Sequence, residues 1–137
     1  MINVKDAVNQ ASREIGITQF DISQAVGSLD QDINQMTALL QAVADELLMD
    51  QPYESDLGDG YWLLGQDGTY KTKPTQDTDV ILFNARLAIN GLKFRFLKAK
   101  GLEFGEELRD FTATLNKLAA KANAEVIDLN TDPGPVQ

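Results

Sequence analysis

The chain has 137 residues, 43% hydrophobic and 24% charged, values that fit one soluble globular domain with a real core. It has neither cysteine nor histidine. That excludes disulfides, zinc–thiolate sites, thiol nucleophiles and every Ser-His or Cys-His arrangement. The net charge of −9 is uneven: residues 1–70 hold 12 acidic and 2 basic side chains, residues 71–137 hold 9 and 10. This is not the basic balance of a nucleic-acid-binding domain. It suits a polarised molecule that stacks on partners of complementary charge, or simply an acidic surface.

The opening MINVKDAVNQ has no apolar core of signal length, and no run is long and apolar enough to span a membrane. A soluble protein made in a cytoplasm is expected. Asn3 is a plausible N-cap for a first helix over residues 4–15, with Val4, Ala7, Val8, Ala11 and Ile15 on one face and Gly16 as its stop. Residues 17–27 have mixed periodicity and read as a loop that buries Ile17, Phe20 and Ile22. Ser28-Leu29-Asp30-Gln31 has the form of a capping box for a second helix that runs to about residue 49. Its seam is Ile33, Met36, Leu40, Val43 and Leu47.

Residues 50–60 read as an acidic Gly- and Pro-containing loop. A β-hairpin is predicted over about 61–73, with strands 61–64 and 69–73 joined by Gly65-Gln66-Asp67-Gly68. Tyr61, Trp62, Leu64 and Tyr70 are its candidate contact residues. An isolated hairpin is marginal in water, so it must lie on the helices or on a neighbouring subunit.

A third helix is predicted over 78–101, capped by Asp77 or Thr78 and stopped at Gly101. It carries two apolar stripes. Leu82, Ala85, Ile89, Leu92, Phe96 and Ala99 line one; Phe83, Leu87, Phe94 and Leu97 line a second, and Arg86, Lys93 and Lys100 run between them. A central helix with snorkelling cations would look like this. So would a helix that packs its own bundle with one stripe and an identical neighbour with the other, its basic row facing the neighbour's acidic half. The second reading makes Phe83, Arg86, Leu87, Lys93, Phe94, Leu97 and Lys100 candidate subunit contacts.

A fourth helix over 103–124 has the seam Phe104, Leu108, Phe111, Leu115, Leu118 and Ala122. Residues 125–137 lack a helical period and read as an extended tail that orders on binding, with Val126, Ile127, Leu129, Pro133 and Pro135 as candidate contacts. The predicted architecture is all-α: a four-helix bundle over 1–124 with one inserted hairpin, then the tail.

Chemistry-bearing motifs are weak. Asp56 to Asp67 lacks ligands at the third and fifth positions of a calcium loop. A di-iron bundle needs histidines that the chain does not have. No phosphate-binding glycine fingerprint occurs. No catalytic residue, metal site or cofactor is expected, and an enzyme is not the expected class.

The segment Phe94-Arg95-Phe96-Leu97-Lys98-Ala99-Lys100-Gly101-Leu102, with Phe104, Glu106, Glu107 and Phe111 after it, resembles a recurring segment of head-to-tail adaptor (connector) proteins of tailed phages. The short first helix ending in Gly16-Ile17, the Ser28-x-Asp30 start, Trp62 and Gly68-Thr69-Tyr70 agree in order. Where such proteins often carry an aromatic- and proline-rich strip, this chain has only residues 73–77. The resemblance implies a non-enzymatic virion protein at the head-tail junction, assembled in the host cytoplasm. Such proteins form homo-oligomeric rings, commonly about twelve copies. The ring binds the portal protein above and a tail tube or nozzle protein below, and double-stranded DNA passes through it without specific binding. The alternative from another class is a small helical binding or regulatory protein that forms no ring.

Overall fold

The computed structural model describes residues 1–49 and 60–131, with side chains described over 1–48 and 60–121. The order is α1 (Val4–Glu14), α2 (Gln31–Met49), β1 (Leu63–Leu64), β2 (Tyr70–Lys71), β3 (Val80–Ile81), α3 (Ala85–Ala99) and α4 (Gly105–Thr131). The chain is mostly helical, with a small three-stranded antiparallel sheet in the order β2-β1-β3.

α1 begins where Asn3 accepts the Asp6 N–H at 2.7 Å. It ends at Gly16, whose left-handed φ of +79° lets Ile17 N–H reach back to Ser12 O and Gly16 N–H to Arg13 O. The same closure ends α3: Gly101 has φ +73°, Leu102 N–H donates to Leu97 O and Gly101 N–H to Lys98 O. Both glycine stops were legible in the sequence. The start of α2 differs from the predicted capping box. Asp30, not Ser28, is the cap: its Oδ1 accepts from the N–H groups of Asp32 and Ile33, and Ser28 Oγ accepts from Asp30 N–H.

The predicted hairpin is present in part: its strands, expected over 61–64 and 69–73, pair as Leu63–Leu64 with Tyr70–Lys71, and its turn is closed by Gly68 N–H to Gly65 O at 3.0 Å. It gains a third strand from the stretch expected to open the third helix. Leu63 pairs with Ile81 and Leu64 with Val80, while Leu82 N–H donates to Trp62 O. The β-branched pair Val80-Ile81 follows the pleat, and helix begins only after Asn84, whose Oδ1 accepts from Arg86 and Leu87 N–H. Asp77 instead accepts from the backbone N–H groups of Ala25 and Val26, fastening the α1–α2 loop to the sheet.

α4 also departs from expectation. It does not stop at residue 124 but runs unbroken to Thr131, so the predicted extended tail is helical over 125–131. The sequence there contains no glycine or proline to break it before Pro133. Val126, Ile127 and Leu129 lie on this helix; their side chains, Pro133, Pro135 and the 50–59 loop lie outside the described residues.

Two cores flank α3. Ala88, Ile89, Leu92 and Phe96 pack with α1, the first part of α2, Trp62, Leu63 and Ile81. Leu87 and Phe94, on the opposite side of α3, pack with Val43, Leu47 and Phe111. Gly91 sits at the crossing: a Cβ there would meet Val43 at 2.8 Å and the Phe111 ring at 3.1 Å.

Candidate functional site

The two-faced α3 is the place to look for a contact with another molecule, and its own chain occupies most of it. Leu87 and Phe94 are buried, Phe94 against the Phe111 ring at 5.2 Å between centroids. Phe83 precedes the helix rather than lying on it, and its ring lies 5.9 Å from that of Trp62. Leu97 is half-buried. Leu87 and Phe94 of the second stripe therefore pack on α2 and α4 of the same chain.

The basic row is committed in the same way. Arg86 and Lys93 both donate to the Glu14 carboxylate at the end of α1, at 3.0 and 2.8 Å. Lys100 lies 3.2 Å from Asp32 at the start of α2. Arg95, off the row, pairs with Glu46. Acidic residues of the N-terminal half of the same chain are thus the partners of these cations. Burial opposes ionisation of Glu14, yet the hydrogen bonds from Lys93, Gln10 and Arg86 outweigh it and hold the carboxyl at about 2.

A second carboxylate, Asp79, is fully buried. Its Oδ1 accepts from Lys71 Nζ at 2.8 Å and its Oδ2 from the N–H groups of Thr75 and Gln76. Burial opposes its charge, and these donors, Lys71 first, still carry its pKa below the ordinary carboxylate value. Lys71 also donates to Thr75 Oγ1. The network ties β2 to the loop before β3.

The hairpin residues divide. Trp62 is buried, its Nε1–H donating to Thr72 O at 2.8 Å, and Leu64 is half-buried. Tyr61 and Tyr70 remain exposed on the surface. The hairpin thus rests on its own helices through Trp62 and Leu63, and of its four candidate contact residues the two tyrosines face outward. Sequence reasoning missed Glu14, whose cations lie 72 and 79 residues away, and the loop-fastening role of Asp77, whose N–H donors lie 51 and 52 residues away; it also missed Asp79, although Lys71, Thr75 and Gln76 lie within eight residues of it. It also expected Phe20 to be buried. Phe20 and Leu29 stand exposed on the α1–α2 loop, and Leu102 and Leu108 at and beyond the α3–α4 corner.

Among the described residues no cluster of three or more potential metal ligands occurs, and no helix is long and apolar enough to cross a membrane. No protein-family model, no characterised protein and no solved structure matches this chain.

Proposed function

We propose that this chain is a head-to-tail adaptor of a tailed phage, a non-enzymatic virion protein that forms a ring beneath the portal and joins it to the tail. The resemblance of the 94–111 segment supplies the family. The observation that carries the reading is the length of α4. It has 27 residues against 15 in α3, its antiparallel partner. Roughly 18 Å of helix therefore runs on past the length of α3. A long helix anchored near one end is suited to reaching a second molecule. Val126, Ile127 and Leu129 lie on that extension. The acidic overall charge suits a channel that must let DNA slide without counterion-release binding.

The test is binding to the portal ring of the same phage, read by light scattering and electron microscopy. A stoichiometric ring of this chain on the portal is expected. Deleting residues 126–137 should abolish docking while leaving the thermal transition of the rest of the chain in place. A chain that stays monomeric and ignores the portal would sink the adaptor reading, and unimpaired docking of the truncated chain would remove the α4 extension from it.

A further inference from the structure

α4 packs chiefly on α3, only Phe111 of its described seam is buried, and no ion pair among the described residues reaches it. The corner that brings it back is short. α3 ends at Ala99, α4 begins at Gly105, and Gly101 between them turns the chain at a φ of +73°. Residues 98–103 are all exposed, so a helix continued from α3 through the corner has solvent ahead of it. Straightening the corner also keeps its backbone bonds. In the closed chain Gly101 N–H donates to Lys98 O and Leu102 N–H to Leu97 O. In a continuous helix each N–H donates four residues back, so the same two donors and the same two carbonyls exchange partners. Gly105 N–H trades the Glu103 carboxylate for Gly101 O. Gly101 takes either sign of φ, because glycine has no Cβ to clash.

The apolar pattern runs through the corner in phase. The α3 positions toward α4 are Leu87, Asn90, Phe94 and Leu97; the answering seam has Phe104, Leu108, Phe111, Leu115 and Leu118. Read as one helix, with Gly101 between Leu97 and Phe104, they recur at alternating spacings of three and four without a break. The register of the present contact gives the centre of such a pairing. Phe94 packs on Phe111, and Asn90 Nδ2 donates to Thr114 Oγ1 at 3.5 Å. The midpoint of both pairs falls at residues 102–103, inside the corner. We propose that two copies exchange α4: α3, corner and α4 of each straighten into one helix, and each α4 seats on the α3 of the other chain. The groove of Val43, Leu47, Leu87 and Phe94 fits the partner's α4 because it already holds the identical helix. Around the two-fold axis Gly101 meets Phe104 of the other copy and Leu97 meets Leu108, covering the side chains that the closed chain leaves half-buried and exposed at its corner. The corner holds α4 close to its own α3, so the closed form rules in dilute solution and the exchanged pair grows with concentration. The inference stands apart from the adaptor reading, since the pair is formed by the free chain without a portal.

Gly101→Ala is the test. A Cβ there meets nothing within 4 Å, so its effect is conformational: it opposes the left-handed turn of the closed chain and suits the continuous helix. After refolding at high concentration, sedimentation should show the variant dimerising at least about a hundredfold more readily than the parent, about tenfold for each of its two chains, with helical circular dichroism undiminished. A variant that dimerises no more readily than the parent would overturn the exchange. Asn90→Cys and Thr114→Cys in the same chain, which has no other thiol, separate exchange from any other association. The isolated dimer, oxidised and then denatured, should run as a covalent dimer; chains that run singly would mean that the dimer uses another surface, and the exchange would fall. A third chain needs no thiol at the buried Asn90 site. Inserting Gly-Gly-Ser-Gly after Leu102 in the Gly101→Ala chain breaks the continuous seam and should return it to monomer, whereas a dimer that survives the insertion would refute the straightened corner.

Discussion

In α2 the seam residues Ile33, Met36, Leu40, Val43 and Leu47 are all buried, whereas in α4 only Phe111 of the described seam is. Phe104, Leu115 and Leu118 are half-covered, and Leu108 is exposed. The two helices read alike in sequence, with apolar residues at spacings of three and four. Their difference lies in the number of neighbours. α2 meets α1 and α3 and contributes to both cores, while α4 packs chiefly on α3. Periodicity names the face that turns inward; the depth of burial is set by how many elements converge on that face. At about 1.5–3 kcal/mol for each fully buried large side chain, α2 is held by its whole length and α4 by one ring and a half-covered margin.

Core truncation in the two helices should expose that contrast. Leu40→Ala removes a fully buried side chain between α1, α2 and α3 and should cost about 3–4 kcal/mol, lowering the global transition and raising amide exchange in all helices together. Phe111→Ala should cost about 3 kcal/mol, but locally. α4 amides should lose protection while those of α2 keep theirs. Gly91→Ala should act in the same direction from the other side of the contact, since its methyl would strike Val43 and the Phe111 ring; about 1–3 kcal/mol is expected. Exchange protection of α2 and α4 falling in step in the Phe111 variant would show that the two cores are one cooperative unit and would erase the distinction.

The same contrast explains which parts of the fold could be read in advance. The helix stops at Gly16 and Gly101 and the Gly65–Gly68 turn each rest on interactions within about six residues, so the local sequence contains their cause. The entry to α3 does not. Asp77 and Thr78 are good capping residues and the run after them is apolar, yet Val80 and Ile81 have a strand to pair with, Leu63–Leu64, some seventeen residues earlier. Asn84 caps the helix instead, six residues beyond Thr78. The partners of the basic row were hidden for the same reason: nothing near Lys93 points to Glu14. The sequence did show that α3 has two apolar faces and that its cations seek the acidic half. Whether that half belongs to the same chain or the next is a matter of chain path, which composition and spacing do not encode.

The smallest of the expected effects concerns the other flank of α3. Glu14 joins α1 to α3 through Lys93 and Arg86, whereas no ion pair joins α4 to the body among the described residues. Its carboxyl is held at about 2 against an ordinary value of 4.5. A depressed carboxylate contributes stability that is fully present above its unfolded value and lost as pH falls through the folded one. The contribution should therefore be intact above pH 4.5 and fade between about 4.5 and 2. Glu14→Gln should cost about 1–2 kcal/mol at neutral pH, a figure reduced for solvent screening of a partly exposed group. The gap between the variant and the parent should close as pH approaches 2. Acid should loosen the α1 flank first, seen as faster exchange of α1 amides, while the Phe111 contact keeps its strength because apolar burial carries no proton. A Glu14→Gln chain with an unchanged acid transition would mean that the carboxylate is as well served by water as by its two cations, and that α1 is held by its apolar face and by the backbone bonds of Val4 and Lys5 to Asp79 and Asp77.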